Sequence, residues 1–256
     1  MDENLPPEAV RHRLSRPPVH PVRDPTGTLS PAAPAREEPL MPYAPDFARL
    51  LTAGTRFTDE CGEHVLEVHP AGEVVLPTGR VVGCDPLTGA ENDPYTASVD
   101  PGRYPARAWV SSIRAEGGGT DRRVAALELV IRDEPVARWE MALVAGQDPA
   151  ELGADDFFGY GVDAGTGTLA DPVALAALED WEYDRIEDVF LAEDPDAERG
   201  PVPGLVSAVT DETTGANVLT VWSGWGDGCY GTWVGRAADG RIASFVTDFM
   251  VLPAKG

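Results

Sequence analysis

Apolar and polar residues alternate most cleanly in the middle of the chain. Over 123–133, Ala125, Leu127, Leu129 and Ile131 share one parity. Over 136–144, Ala137, Trp139, Met141 and Leu143 share one face, while Arg138 and Glu140 take the other. A period of two over such lengths predicts half-buried antiparallel strands, and 103–114 extends the set. Gly117-Gly118-Gly119 and Asp133-Glu134-Pro135 separate these three segments. Upstream, 63–69 and 73–76 flank Pro70-Ala71-Gly72 and read as a hairpin, followed by a short strand over 80–84 that Asp85-Pro86 ends. Asp46 is placed to cap a short helix carrying Phe47, Leu50 and Leu51, which Gly54 stops.

The period changes after residue 170. Asp171-Pro172 has the form of a helix start, an N-cap followed by proline at the first helical position, and 173–178 continues it. Trp181, Ile186, Val189 and Phe190 give a second helical stretch an apolar stripe. Strands return over 205–210, 218–223, 229–235 and 242–252. The connections are 211–216, 224–228 and 237–240, the last holding an Asp239-Gly240 turn. Strands, then acidic helices, then strands define an α+β class: a largely antiparallel sheet or sandwich with an acidic helical segment between two strand-rich halves. Alternating strand–helix units are absent, which argues against a doubly wound sheet.

Composition separates the N-terminus from the rest. Residues 1–45 hold 11 of the 24 prolines, six acids and five arginines, with almost no apolar period. Such a segment buries too little surface to offset its chain entropy. Residues 1–42 are therefore expected to be a disordered Pro-rich arm on a single domain over 43–256. The whole chain has 256 residues, 43 acids against 20 basic residues, and a net charge of −23. That excess opposes binding to nucleic-acid phosphates or to an anionic membrane surface. No apolar run reaches spanning length, and the N-terminus lacks the apolar core of a secretory signal, so a cytoplasmic location is expected. Three widely spaced cysteines fit a reducing compartment.

Two glycine-rich stretches carry the candidate chemistry. Residues 159–167 place four glycines around Asp163 and Thr166, leaving amides such as that of Gly165 open to an anion. The segment also looks like the first phosphate motif of sugar kinases and actin-like ATPases. An apolar strand before it is not evident, however, and only 89 residues follow. Turn chemistry alone also explains Gly, Asp and Thr here. Residues 222–230 set Trp222, Trp225, Asp227 and Tyr230 in a second such stretch, suited either to a stacking platform or to a long hairpin loop. Both stretches are expected to meet at one end of the sheet, with Asp85 nearby and Trp225 and Tyr230 as an apolar wall. An enzymatic scheme would add Arg103 or Glu140, one carboxylate acting as base while glycine amides stabilise negative charge.

Other combinations are less promising. Cys61, His64, His69 and Cys84 lack the paired doublets of a structural zinc site, and His64 and His69 fall on opposite strand faces. Cys229 stands near an acid and has no flanking histidine. The acid-rich block 179–198 has no calcium-loop pattern and reads as a solvated helix face or as a docking surface for a basic partner. No metal or cofactor is expected.

Three motifs together resemble a bacterial family known only as a domain of unknown function. They are Arg80-Val81-Val82-Gly83-Cys84-Asp85-Pro86-Leu87, the glycine loop at 159–167, and the Gly-Trp-Gly-Asp-Gly-x-Tyr segment at 224–230. Arg80 after Gly79, and Thr168-Leu169-Ala170-Asp171 in place of a Cys-Phe-Met-Asp continuation, are small departures. The resemblance covers about 43–253 and implies no activity. The leading expectation is an acidic binding or interaction protein, of a class that includes regulatory and toxin-neutralising partners, that meets a basic protein. The alternative is a small-molecule hydrolase or transferase using Asp163 and Asp227.

Overall fold

The computed structural model describes residues 11–13, 42–88, 93–115, 117–191 and 200–253. Along the chain the elements are β1 (Arg11–Arg13), α1 (Phe47–Leu50), β2 (Arg56–Asp59), β3 (Gly62–Leu76), β4 (Val82–Cys84), β5 (Gly102–Arg114), β6 (Thr120–Val130), β7 (Arg138–Met141), β8 (Asp156–Val162), β9 (Thr166–Ala170), α2 (Pro172–Glu179), α3 (Tyr183–Phe190), β10 (Val206–Asp211), β11 (Ala216–Trp222), β12 (Gly228–Arg236) and β13 (Ile242–Asp248). The protein is mostly antiparallel β-sheet, with helix a minor component.

The strands form two sheets. A nine-stranded sheet runs β1-β8-β12-β13-β6-β5-β3-β2, with β7 also on β12. β8 pairs with the first half of β12 and β7 with its second half, so the two share one edge of that strand. A four-stranded sheet runs β10-β11-β9-β4.

The main core lies where the sheets face each other. Val74, Leu127, Leu129 and Phe245 of the large sheet meet Leu169, Leu219 and Val221 of the small one. The other face of the small sheet is covered by Ala174, Leu175 and Leu178 of α2 and Phe190 of α3. The outer face of the large sheet receives Leu50 of α1, together with Val251 after β13. Both faces of β6 are thus covered, which is why its last seven residues are all buried although its sequence alternates.

Two sequence expectations change here. The hairpin over 63–76 is one continuous strand, β3, lying along β5. Pro70-Ala71-Gly72 makes a bulge, with a register slip between Pro70 and Gly72, so the strand bends without reversing. Likewise β11 and β12 are not a hairpin, because they belong to different sheets. Of the Pro-rich arm, only Arg11–Arg13 is among the described residues. It forms an edge strand antiparallel to β8, and the rest of the disorder expectation lies outside those residues.

An aromatic cluster fastens the segment before α1 to the sheet. Phe47 stacks on Trp139 at 4.0 Å, and Tyr43 packs on Phe157 and Trp233 at 5.6 and 5.8 Å. The Tyr43 hydroxyl donates to Asp248 Oδ2 at 2.8 Å. The other oxygen of Asp248 accepts the Met250 amide at 2.9 Å, where Met250 holds a left-handed backbone at φ 55°. Burial pushes the Asp248 carboxyl up to about 6, against the lowering pull of the Tyr43 and Met250 donors.

A carboxyl raised on folding binds its proton more tightly in the folded state. Stability therefore falls as pH rises from about 4, the unfolded value, through about 6, and the penalty is complete above that. Asp248→Asn keeps an acceptor for the Met250 amide and cannot ionise. It should raise unfolding free energy by about 2 kcal/mol at pH 7.5 and leave it unchanged near pH 4. Urea denaturation of both proteins across that range measures the difference.

Candidate functional site

The chain crosses between the two sheets twice at one corner. β8 leaves the large sheet at Val162, residues 163–165 turn, and β9 enters the small sheet at Thr166. β11 leaves the small sheet at Trp222, residues 223–227 turn, and β12 enters the large sheet at Gly228. Trp222 pairs with Thr166 and Gly228 with Val162, so the crossings lie side by side. The Ser223 amide donates to the Gly165 carbonyl at 2.9 Å and ties them together.

Asp85 follows β4, whose Cys84 pairs with Thr168, and so it arrives beneath the first crossing. Its carboxylate is fully buried. Oδ2 accepts the amides of Asp163 at 3.0 Å and Ala164 at 2.7 Å. Oδ1 accepts the Thr166 hydroxyl at 2.8 Å and the Leu87 amide at 3.1 Å. Successive main-chain amides around a glycine turn make an anion cradle. Here the anion is the chain's own Asp85, and a further anion finds these amides taken.

Close packing accounts for some of the glycines. A Cβ on Gly167 would stand 2.7 Å from the Phe249 ring. Gly224 turns at φ 49°, and a Cβ there would run into the Phe249 carbonyl. The stretch 159–167, read from sequence as an extended loop, is therefore two strands and a short turn. The strand that seemed missing before it is β8, which begins at Asp156.

The structure places the remaining sequence candidates as follows. Tyr230 is buried, and its hydroxyl donates to the Gly226 carbonyl at 2.7 Å, buckling the second crossing from below. It therefore lies under the corner, not on an exposed wall. Asp163 and Asp227 are both exposed at the corner. Trp222 and Trp225 flank the second crossing and remain 42% and 45% exposed. The Arg123 guanidinium stacks over the Trp225 ring at 5.1 Å.

Arg103 and Glu140 are not brought to the corner. Arg103 approaches Gly215, in the turn at the opposite end of β11. Glu140 lies on β7, where Oε1 accepts Arg236 Nε at 2.5 Å and Oε2 accepts Arg138 Nη1 at 2.6 Å. Cys229 is buried, and burial pushes its thiol up to about 12, far from a ready nucleophile. His64 is buried between Ser111 Oγ and Asp59 Oδ1, both at 2.9 Å, whereas Cys84 belongs to the helix-side core. Among the described residues no group of His, Cys, Asp and Glu has the arrangement to hold a metal ion, and no helix is long and apolar enough to cross a membrane.

One feature had no sequence signal. A cleft of about 500 Å³ opens where β5 begins, β6 ends and β12 turns into β13. Arg132 lines it from the end of β6, and Arg236 and Arg241 from the two sides of the β12–β13 turn.

The chain belongs to the family described as "Protein of unknown function (DUF4241)", whose model matches residues 74–247. That span contains Asp85, both crossings and the cleft arginines. No curated protein and no solved structure matches the chain.

The carboxylate of Asp85 is expected to carry the corner. Asp85→Ala strands three amides and a buried hydroxyl and should cost about 3 kcal/mol or more. Asp163→Asn changes an exposed side chain and should cost less than about 0.5 kcal/mol. Thermal denaturation of the two variants tests the contrast, and equal melting temperatures would refute it.

Proposed function

We propose that this is a non-catalytic binding protein of the α+β class, acting in the cytoplasm, that docks a basic protein partner at the inter-sheet corner. The observation that carries the reading is the pairing of half-exposed Trp225 with exposed Asp163 and Asp227 on a corner held rigid from beneath. A tryptophan fixed in place gives up little entropy on docking, and such residues supply much of the energy at interfaces. The neighbouring carboxylates complement Lys or Arg on the partner. An acid–base scheme draws little support here, because the carboxylate buried beneath the corner, Asp85, is occupied and the exposed ones have no Arg103 or Glu140 beside them.

Attraction at longer range comes from the rest of the surface. Net charge is −23, and Glu182, Glu187 and Asp188 are exposed at and within α3. Such fields raise association rates, whereas contacts at the docking point set dissociation rates.

The test separates those two effects. Binders are selected from a displayed library of Lys- and Arg-rich peptides, and their kinetics are followed on the full chain. Arginine at positions 182, 187 and 188 should slow association several-fold and flatten its salt dependence. Trp225→Ala should speed dissociation about tenfold with association little changed. A library that yields no binder, or binders whose dissociation ignores Trp225→Ala, overturns the proposal.

A further inference from the structure

We infer that the arginine-lined cleft is a binding site for a small organic anion that also carries a hydrogen-bond donor or ammonium group. The cleft lies at the far end of β12 from the corner: Gly228 and Arg236 are eight strand steps apart, about 26 Å. It therefore stands or falls independently of the proposed protein interface.

The argument starts from what holds each guanidinium. Arg236 is partly buried, its Nε donating to Glu140 and its Nη1 to the Gly240 carbonyl at 3.0 Å. Arg241 donates from Nε to Asp239 and from Nη2 to Glu134 at 3.2 Å. In both, the carboxylates bind the Nε edge or one terminal nitrogen. Nη2 of Arg236 and Nη1 of Arg241 are left without a partner among the described residues. Arg132 differs, with no carboxylate at ion-pair distance among those residues, although its backbone is fixed by a 2.9 Å bond from its amide to Ala243. Among the described residues the cleft thus holds one guanidinium with no ion-pair contact, Arg132, whose charge still acts on Asp239, and two that are already oriented. Guanidinium recognises carboxylate and phosphate through paired N–H donors, and orienting it beforehand lowers the entropy lost on binding.

The rest of the lining sets the rest of the ligand. Asp100 lines the cleft and is exposed, so the lining is not uniformly basic. The Tyr104 hydroxyl donates a hydrogen bond to the Asp100 carbonyl at 2.5 Å and so presents only lone pairs to a ligand. Ser98 adds a hydroxyl, and Ile131 and Ile242 add apolar surface between the two ends. A carboxylate or phosphate at Arg132 and an ammonium or hydroxyl at Asp100 satisfy both charges of the lining. Amino acids and phosphorylated or carboxylated polyols have that arrangement, and the volume suits molecules of that size.

Isothermal titration of the full chain tests this with four probe groups: inorganic phosphate, dicarboxylates, free amino acids, and sugar phosphates. Saturable binding by a probe carrying both an oxyanion and a donor is expected. It should weaken about tenfold or more in Arg132→Gln, and similarly in Arg241→Gln, with melting temperature unchanged. Asp100→Asn should weaken ammonium-bearing probes and spare inorganic phosphate. If amino acids bind and sugar phosphates do not, the oxyanion is a carboxylate; the reverse assigns a phosphate. Absence of saturable binding in all four groups, or binding unaffected by Arg132→Gln and Arg241→Gln alike, overturns the inference.

Discussion

The joint between the two sheets depends on one carboxylate. Asp85 reaches the first crossing from a different strand and satisfies two amides and a threonine hydroxyl there. Without it the turn 163–165 would carry main-chain donors with no partner at the edge of a packed core, which costs more than the bonds themselves are worth. With the first crossing fixed, the second is placed by register. Thr166 pairs with Trp222 and Val162 with Gly228, and Ser223 bonds to Gly165. Tyr230 then closes the second turn against the core, its ring edge-on to Phe249 at 5.2 Å.

This arrangement explains why the most motif-like stretches of the chain need not be the reactive ones. Glycine, aspartate and threonine in a short run serve a ligand cradle and an internal staple equally well. Only the position of Asp85 separates the two uses, and it lies 78 residues away in sequence. Tyr230 shows the same ambiguity: a tyrosine in a glycine-rich loop suits stacking, yet here its hydroxyl is needed by the loop's own carbonyls. The outward tryptophans are what the corner has left to offer a partner.

Legibility in the sequence followed the range of the interaction. Alternation in β6 and β7, the Asp171-Pro172 start of α2 and the Asp46 cap of α1 are local, and each element formed where the pattern indicated. The approach of the 163 and 227 turns, with Asp85 close by, was also expected and is seen. Misreadings arose where one local chemistry has two tertiary outcomes. Pro70-Ala71-Gly72 suits a reversal or a bulge, and the length of β5 beside it decides for the bulge. Residues 223–227 suit a hairpin or a passage between sheets, and nothing local says which sheet the next strand joins. The Tyr43–Asp248 bond spans 205 residues, and Arg132 meets the two arginines of the β12–β13 turn from a distant part of the chain, so neither leaves a pattern to find.

The edge strand β1 has a consequence for handling the molecule. β8 pairs with β12 on one side and with β1 on the other, so Arg11–Arg13 occupy main-chain groups that would otherwise face outward. A sheet margin stripped of its cover is a template for the margin of another molecule. Trimming the proline-rich arm to obtain a smaller, tidier protein would thus bare a row of donors and acceptors beside Phe157 and Phe158. The shortened chain gains a route to self-association that the full-length one keeps closed.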